Sequence, residues 1–372
     1  MKKIMILAAF LALAGACRET RAINSTEVAS INKSADFSVS DAEAERMMQI
    51  IRGKIERGED LSPNLTRIIQ IVMSRQGPDY QRKPLQLDTV RQQKLQTKYD
   101  SYKRLYKNAL DPAGFVEGCD GLLFTSLLVA SGLNEDITQA ESATEPGRWY
   151  RSAAHDCYPT GQSRSDISRD MLLGLSLALW QVGDGAAVRR FLLFSEKNKG
   201  VLGGAIDGEE LAGAATMSPS LLSLYSELDY LLNGRTSANR GYFPELGKTF
   251  VGFEAHLMSL RLILKSSLYG GLIDSDFDLI ARQVALQPQN ALFQAIYHAF
   301  TDGDGSKAAD VLLDEKYFPA NALPGSAQRC ELYLWQRDQN TEDWQPCASE
   351  NQTFPAVDFF WVYALLTNTF RQ

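Results

Sequence analysis

The stretches LLFTSLLVASG at 122–132 and DMLLGLSLALW at 170–180 decide the fold. Each is apolar almost all round over a helical length, and such a helix is stable only when other elements enclose it. Around them lie segments with apolar residues at three- and four-residue spacing: AAVRRFLLFSEK, SLLSLYSELDYLL, HLMSLRLILKSSL, FDLIARQVAL, NALFQAIYHAF, KAADVLLDE and a last DFFWVYALLTNTF. Upstream, VRQQKLQTKYDSYKRLYKNAL is long and highly charged, and its Val90, Leu95, Tyr99, Tyr102, Leu105 and Tyr106 form one apolar stripe that reads as core contact. Ser40-Asp41-Ala42-Glu43 matches a capping box ahead of MMQIIRGKI, and LTRIIQIVMS fits a further short helix. Runs that alternate with period two are few, and β-branched residues are sparse beside Leu and Ala. The expectation is an all-α body of about a dozen helices, enclosed ones inside and one-sided ones outside.

The 372 residues, 45% hydrophobic and 22% charged, have the proportions of an ordinary globular protein. A formal charge of -7, from 38 basic and 45 acidic residues, sets the chain against nucleic acid, whose binding needs Lys and Arg to displace counterions. At the start, MKKIMILAAFLALAGAC places lysines ahead of an apolar run and then small residues, the order of a secretory signal. That run is too short to span a bilayer, which takes about 20 apolar residues. Leu13-Ala14-Gly15-Ala16-Cys17 resembles a bacterial lipobox, although Ala14 stands where Leu is commoner. The organisation expected is a signal peptide over 1–16, a polar tether over 17–39 and a single all-helical domain over 40–372. The protein is expected to be exported and anchored to an envelope membrane by lipid on Cys17, the alternative being a soluble periplasmic or secreted form cut after Ala16.

Cysteine parity agrees with export. With Cys17 at the cleavage point, Cys119, Cys157, Cys330 and Cys347 remain, an even set suited to two disulfides. Four cysteines allow three pairings, and because loop closure costs rise slowly with length, the local pairs Cys119–Cys157 and Cys330–Cys347 are preferred only mildly. Four buried free thiols are the alternative.

Enclosed and one-sided helices together resemble the (α/α) toroids, whose inner ring is wrapped by an outer one; the resemblance rests on helix rhythm over most of 40–372 and on no diagnostic motif. A helical solenoid competes, but no repeat of about 33 to 47 residues is sustained. In the toroid glycosidases the sugar cleft opens at one end of the inner ring, and acids on loops and helix ends act there as general acid and base. The resemblance therefore implies a glycan-processing hydrolase. The alternative is a non-catalytic envelope lipoprotein that binds a glycan or a partner protein.

The segment GRWYRSAAHDCYPTGQSRSDISRDMLLGL at 147–175 concentrates arginines, aromatics and acids before an enclosed helix, and Glu117 and Asp120 in FVEGCDGLLF precede another. Hydrolysis by paired carboxyls needs one to protonate the leaving oxygen and one to activate water, about 6.5–9.5 Å apart for inversion. Asp120 with Asp166 or Asp170 is the candidate pair. The competing reading is helix capping by Ser165, Asp166 or Ser168, with Asp170 paired to Arg164 or Arg169. Trp149, Tyr150 and Tyr158 would stack on sugar faces, and Arg148 and Arg151 would recognise glycan carboxylates; their ordinary role is loop packing. His256 near a helix start would face the same ring, although a single His there is more often a hydrogen-bonded core group. RCELYLWQRDQNTEDWQPC at 329–347 carries Trp335, Arg337, Asp338 and Trp344 inside a candidate disulfide loop and reads as a structural lid.

No cofactor or metal is expected. His155, His256 and His298 are far apart in the sequence, and no CxxC or HExxH occurs. Gly247-Lys248-Thr249 ends like a phosphate loop but has Tyr242 where the first glycine belongs. Asp302, Asp304 and Ser306 imitate calcium ligands, yet Lys307 and Leu313 replace the turn glycine and the closing glutamate, leaving a polar turn between helices.

Overall fold

The two enclosed stretches form neighbouring helices, and a glycine sets how closely they approach. In the computed structural model, which describes residues 80–116, 118–158, 166–206, 209–235, 252–325 and 353–371, helix α1 is Thr89–Leu105, α2 is Gly121–Ala130 and α3 is Arg169–Val182. Every residue of α2 is buried, as is Met171 through Trp180 of α3. A side chain at Gly174 would meet Leu123 Cδ1 at 2.7 Å and the Leu123 carbonyl oxygen at 2.9 Å, so α2 and α3 pack at a distance that only a missing Cβ permits. Fully burying a leucine stabilises by roughly 1.5–3 kcal/mol, so this pair forms the apolar centre.

The expected amphipathic segments are helical as well: α4 Gly185–Lys197, α5 Pro219–Asn233, α6 Gly252–Tyr269, α7 Asp274–Leu286, α8 Ala291–Phe300, α9 Ser306–Leu313 and α10 Val357–Leu366. Several caps follow from side-chain chemistry, since Asp88, Asp184, Ser218 and Asn290 each accept from a first-turn amide. Contacts run from α2 to α3, α3 to α6, α6 to α8, α8 to α10 and α10 back to α2. Outside that succession, α4 and α5 pack on each other and on α3, α7 packs on α6 and α8, α9 on α8 and α10, and α1 on α9 and α10. All described residues fall in one compact unit, Pro78–Arg240 with Glu245–Gln372.

The α1 stripe meets α10 through aromatic rings. Leu95, Tyr102 and Tyr106 are buried, Tyr99 stacks on Tyr363 at 4.4 Å, and Tyr102 meets Phe359 edge-on at 4.7 Å. Val90 departs from the stripe and is 62% exposed. Five residues at about 100° each turn it roughly 140° from Leu95, off the buried face.

Among the described residues, one hairpin interrupts the helices. Strands β1 Val201–Ile206 and β2 Glu209–Thr216 pair antiparallel, Ile206 opposite Glu209 and Val201 opposite Thr216, with an irregular register between. Gly203, Gly204, Gly213 and the alanines hide it from a search for alternating hydrophobicity; the Asp207-Gly208 pair between the strands is a hairpin signal that identifies it. The helices expected in MMQIIRGKI and LTRIIQIVMS, Cys17 and the lipobox, the Cys330 and Cys347 segment with Trp335, Arg337, Asp338 and Trp344, the Lys248 loop and the 159–165 stretch with Arg164 and Ser165 lie outside the described residues, as does Glu117. Among the described residues no helix is long and apolar enough to cross a membrane.

Candidate functional site

The mouths of α2 and α3 are joined by the short extended segment around Arg151. Its carbonyl accepts from Leu122 N at 2.7 Å and its amide donates to the Asp166 carbonyl at 3.0 Å, so one residue bridges both helix starts. A disulfide fixes the same place: Cys119 and Cys157 are bonded, with Cα atoms 5.6 Å apart and a separation of 38 positions in sequence. This is one of the two local pairs expected from the sequence.

Asp120 occupies the N-cap position of α2 but makes no side-chain bond to the helix amides. Its carboxylate accepts from Arg151 Nη1 at 3.2 Å, and that nitrogen also donates to the Cys119 carbonyl. Both side chains are nearly shut from water, Arg151 at 5% and Asp120 at 9% exposure. The Arg151 guanidinium lies 5.1 Å from the centre of the Tyr158 ring, a cation–π contact. Burial of a charge is tolerable here because charge, hydrogen bonds and ring face are supplied together.

Asp166 is held in a similar way. Arg148 Nη2 donates to its Oδ2 at 2.8 Å, and Nη1 of the same arginine donates to Glu145 at 2.6 Å. The Arg148 guanidinium sits 5.0 Å over Tyr150, whose ring stacks on His155 at 4.0 Å with planes 15° apart. Burial is the first cause that pushes the Tyr150 phenol up. Asp170 lies in the first turn of α3 and accepts from the Ser168 hydroxyl. Ser168 is the N-cap residue, one of the three expected, but its side chain turns to Asp170 and not to a backbone amide. Arg169, expected beside Asp170, donates to the Thr216 carbonyl and hydroxyl.

Trp149 is only 2% exposed and belongs to the core, whereas Tyr150 and Tyr158 are half-buried. The loop is fastened further by Glu141, which takes a two-pronged pair from Arg190 of α4 at 2.7 and 2.6 Å and accepts from Gly147 N at 2.8 Å. Gly147 has φ +90°, and a Cβ there would come within 2.1 Å of the Arg190 carbonyl oxygen, so the approach requires glycine. Sequence reasoning missed Glu141, Glu145, Arg190 and His155. Glu141 and Arg190 are 49 positions apart with no local pattern linking them. Arg148 and Glu145 share a three-residue spacing that the sequence does show.

His256 is placed elsewhere, on α6. It is 3% exposed, its Nε2 lies 3.0 Å from Asn290 Nδ2, and its ring is 5.0 Å from that of Phe293. The cavity it lines with Asn290, Tyr317 and Asp358 has a volume of about 20 Å³. That is room for roughly one water and not for a sugar. It is a buried polar network of the core.

The Asp302–Ser306 turn links α8 to α9 and satisfies itself. Asp302 Oδ1 accepts from Asp304 N at 2.9 Å and stands 2.8 Å from His298 Nδ1, while Asp304 accepts from Ser306 N at 2.9 Å. The Asp304 amide, then His298, hold the Asp302 carboxyl below its ordinary range, and Ser306 does the same for Asp304. Among the described residues no three His, Cys, Asp or Glu side chains are placed to hold a metal ion. Against protein-family models, curated proteins and solved structures alike, the chain shows no match.

Proposed function

We propose that this chain is a non-catalytic lipoprotein of the bacterial envelope, tethered through lipid on Cys17, whose stapled loop 141–158 binds a glycan. The observation that carries this reading is that each candidate acid is engaged within the loop's own framework: Asp120 by Arg151, Asp166 by Arg148, Asp170 by Ser168. An oxygen that accepts from a guanidinium directs to the arginine a lone pair that a base would use to take the proton of an incoming water. The Tyr150–His155 stack, half-buried and braced by Arg148, is the kind of flat, rigid face on which a sugar ring rests.

The architecture adopted in this reading is the double-layered toroid. The succession α2, α3, α6, α8, α10 and back to α2 supports a closed inner ring, with α1, α4, α5, α7 and α9 outside it. Burial of every α2 residue, and of all α10 residues but Asp358, supports an axis filled by hydrocarbon over one left open as a cleft.

The test is release of reducing ends from envelope and capsular glycans, alongside sedimentation of the intact protein with those glycans. The expected result is binding without release, weakened by Tyr150→Ala. Release by the wild-type chain that disappears in a folded Asp166→Asn or Asp170→Asn variant would overturn the reading in favour of the paired-carboxylate hydrolase.

A further inference from the structure

A wide concavity lies away from the loop, along the outer face of α1 where it meets α9 and the turn that follows. It has a volume of about 910 Å³, within the range of about 300–1,000 Å³ typical of small-ligand sites. Its α1 wall carries Arg91, Lys94, Lys98 and Arg104; opposite them stand Asp310 and Glu315.

These charges are unevenly satisfied. Arg91 is closed on both sides, donating to Asp310 through Nε at 2.7 Å and Nη2 at 3.0 Å and also to Asp88. Lys94 and Arg104 are exposed and have no carboxylate at ion-pair distance among the described residues. Lys98 is the unusual member. It is 7% exposed, yet its ammonium makes one described hydrogen bond, to the Leu312 carbonyl at 2.9 Å. An ammonium has three donors, and burying one against a single neutral acceptor is costly. Burial brings Lys98 down to about 8, with Glu315 and then Asp314 only partly opposing it.

The geometry points to this groove as a binding site for an acidic oligosaccharide. Lys94 and Arg104 are ten positions apart on a helix rising 1.5 Å per residue, which spaces the cations over about 15 Å and suits a ligand with several carboxylates along its length. Lys98 lies between them with donors to spare. The same groove offers an acceptor in Glu315 and hydroxyls in Thr97 and Ser101, which match sugar hydroxyls, whereas both oxygens of Asp310 are taken by Arg91. Asp88, Asp310 and Glu315 would repel a chain that is anionic at every unit. Val90, Leu313 and Ala320 are the apolar side chains of its lining.

The proposal is independent of the loop reading and is tested on the full chain by titration calorimetry. The probes are a hyaluronan oligosaccharide, in which acidic and neutral sugars alternate, its carboxyl-reduced neutral counterpart, a polyglutamate and inorganic phosphate. The hyaluronan oligosaccharide should bind, the neutral sugar and phosphate should not, and polyglutamate should bind at least tenfold more weakly. Lys94→Ala and Arg104→Ala, both exposed and outside the core, should each weaken binding of the hyaluronan oligosaccharide roughly tenfold, equivalent to about 1.4 kcal/mol. Equal affinity for the neutral sugar, for phosphate or for polyglutamate overturns the assignment, as does an affinity unchanged in the Lys94→Ala, Arg104→Ala double variant. Tyr150→Ala should leave this binding intact, so failure here and failure of the loop reading give different results.

Discussion

In loop 141–158, Arg148 and Arg151 each close on a carboxylate a short way off in space, and the aromatic rings lie on the same guanidinium groups. On the groove face of α1, by contrast, Lys94 and Arg104 look into water, and Lys98 gives one hydrogen bond to a main-chain carbonyl. Both regions are rich in charge, but only in the first is every named cation paired with a carboxylate, although Arg148 Nε has no hydrogen-bond partner among the described residues. Satisfied charges rigidify a fold and leave little for a charged ligand to gain, so that the loop offers a sugar its ring face, whereas a cation with unused donors beside a cavity is a place where binding improves the protein's own electrostatics. Richness in acids and aromatics, which drew the sequence reading to the loop, is therefore weaker guidance than the state of hydrogen bonding.

The sharpest way to break this contrast is Arg151→Met. Removing the guanidinium from the buried side of the Asp120 pair should cost about 3–5 kcal/mol in urea unfolding. A loss below 1 kcal/mol would mean that the loop's charges are not closed structurally as described. Next comes the disulfide. Replacing Cys119 and Cys157 together by serine removes a constraint on a 38-residue separation and should cost about 2–4 kcal/mol, with the unfolding midpoint of the wild-type chain falling similarly when reductant is added.

The groove gives a smaller, pH-dependent effect. Because burial lowers the Lys98 ammonium from 10.5 to about 8, the cost of holding it charged is fully present below pH 8. It fades as the folded state loses its proton ahead of the unfolded chain, so stability gains with rising pH between about 8 and 10.5. The difference between wild type and Lys98→Met should shift by about 1–2 kcal/mol over that window, measured as paired urea titrations at successive pH values. A flat difference would remove Lys98 from the unsatisfied class. The smallest effect belongs to Arg91 and Asp310, whose side chains are 35% and 56% exposed. A double-mutant cycle with Arg91→Ala and Asp310→Ala should return a coupling under about 1 kcal/mol that shrinks further in salt.

Much of the fold was legible because its signals are local. The runs at 122–132 and 170–180 announce enclosed helices by lacking a polar face, and Asp88, Ser218 and Asn290 mark helix starts by their chemistry. The hairpin 201–216 was overlooked because glycine and alanine carry no alternating pattern, although Asp207-Gly208 stood between its strands. At the candidate site, the sequence located Asp120, Arg151 and the Cys119–Cys157 pair, but not which acid meets which arginine. The Glu141–Arg190 and Arg148–Asp166 partners join segments that no spacing rule connects.

What the sequence determined by itself is the helical class and the segments that must be buried, since periodicity and capping act within a few residues of each position. Only the tertiary structure decided which charges are complete. Whether Asp120 is an exposed acid or the partner of a buried arginine, and whether Lys98 is a solvated lysine or a buried ammonium with one acceptor, depends on elements brought together from distant parts of the chain. Electrostatic interactions follow distance in space and local dielectric, and neither is encoded in the order of residues.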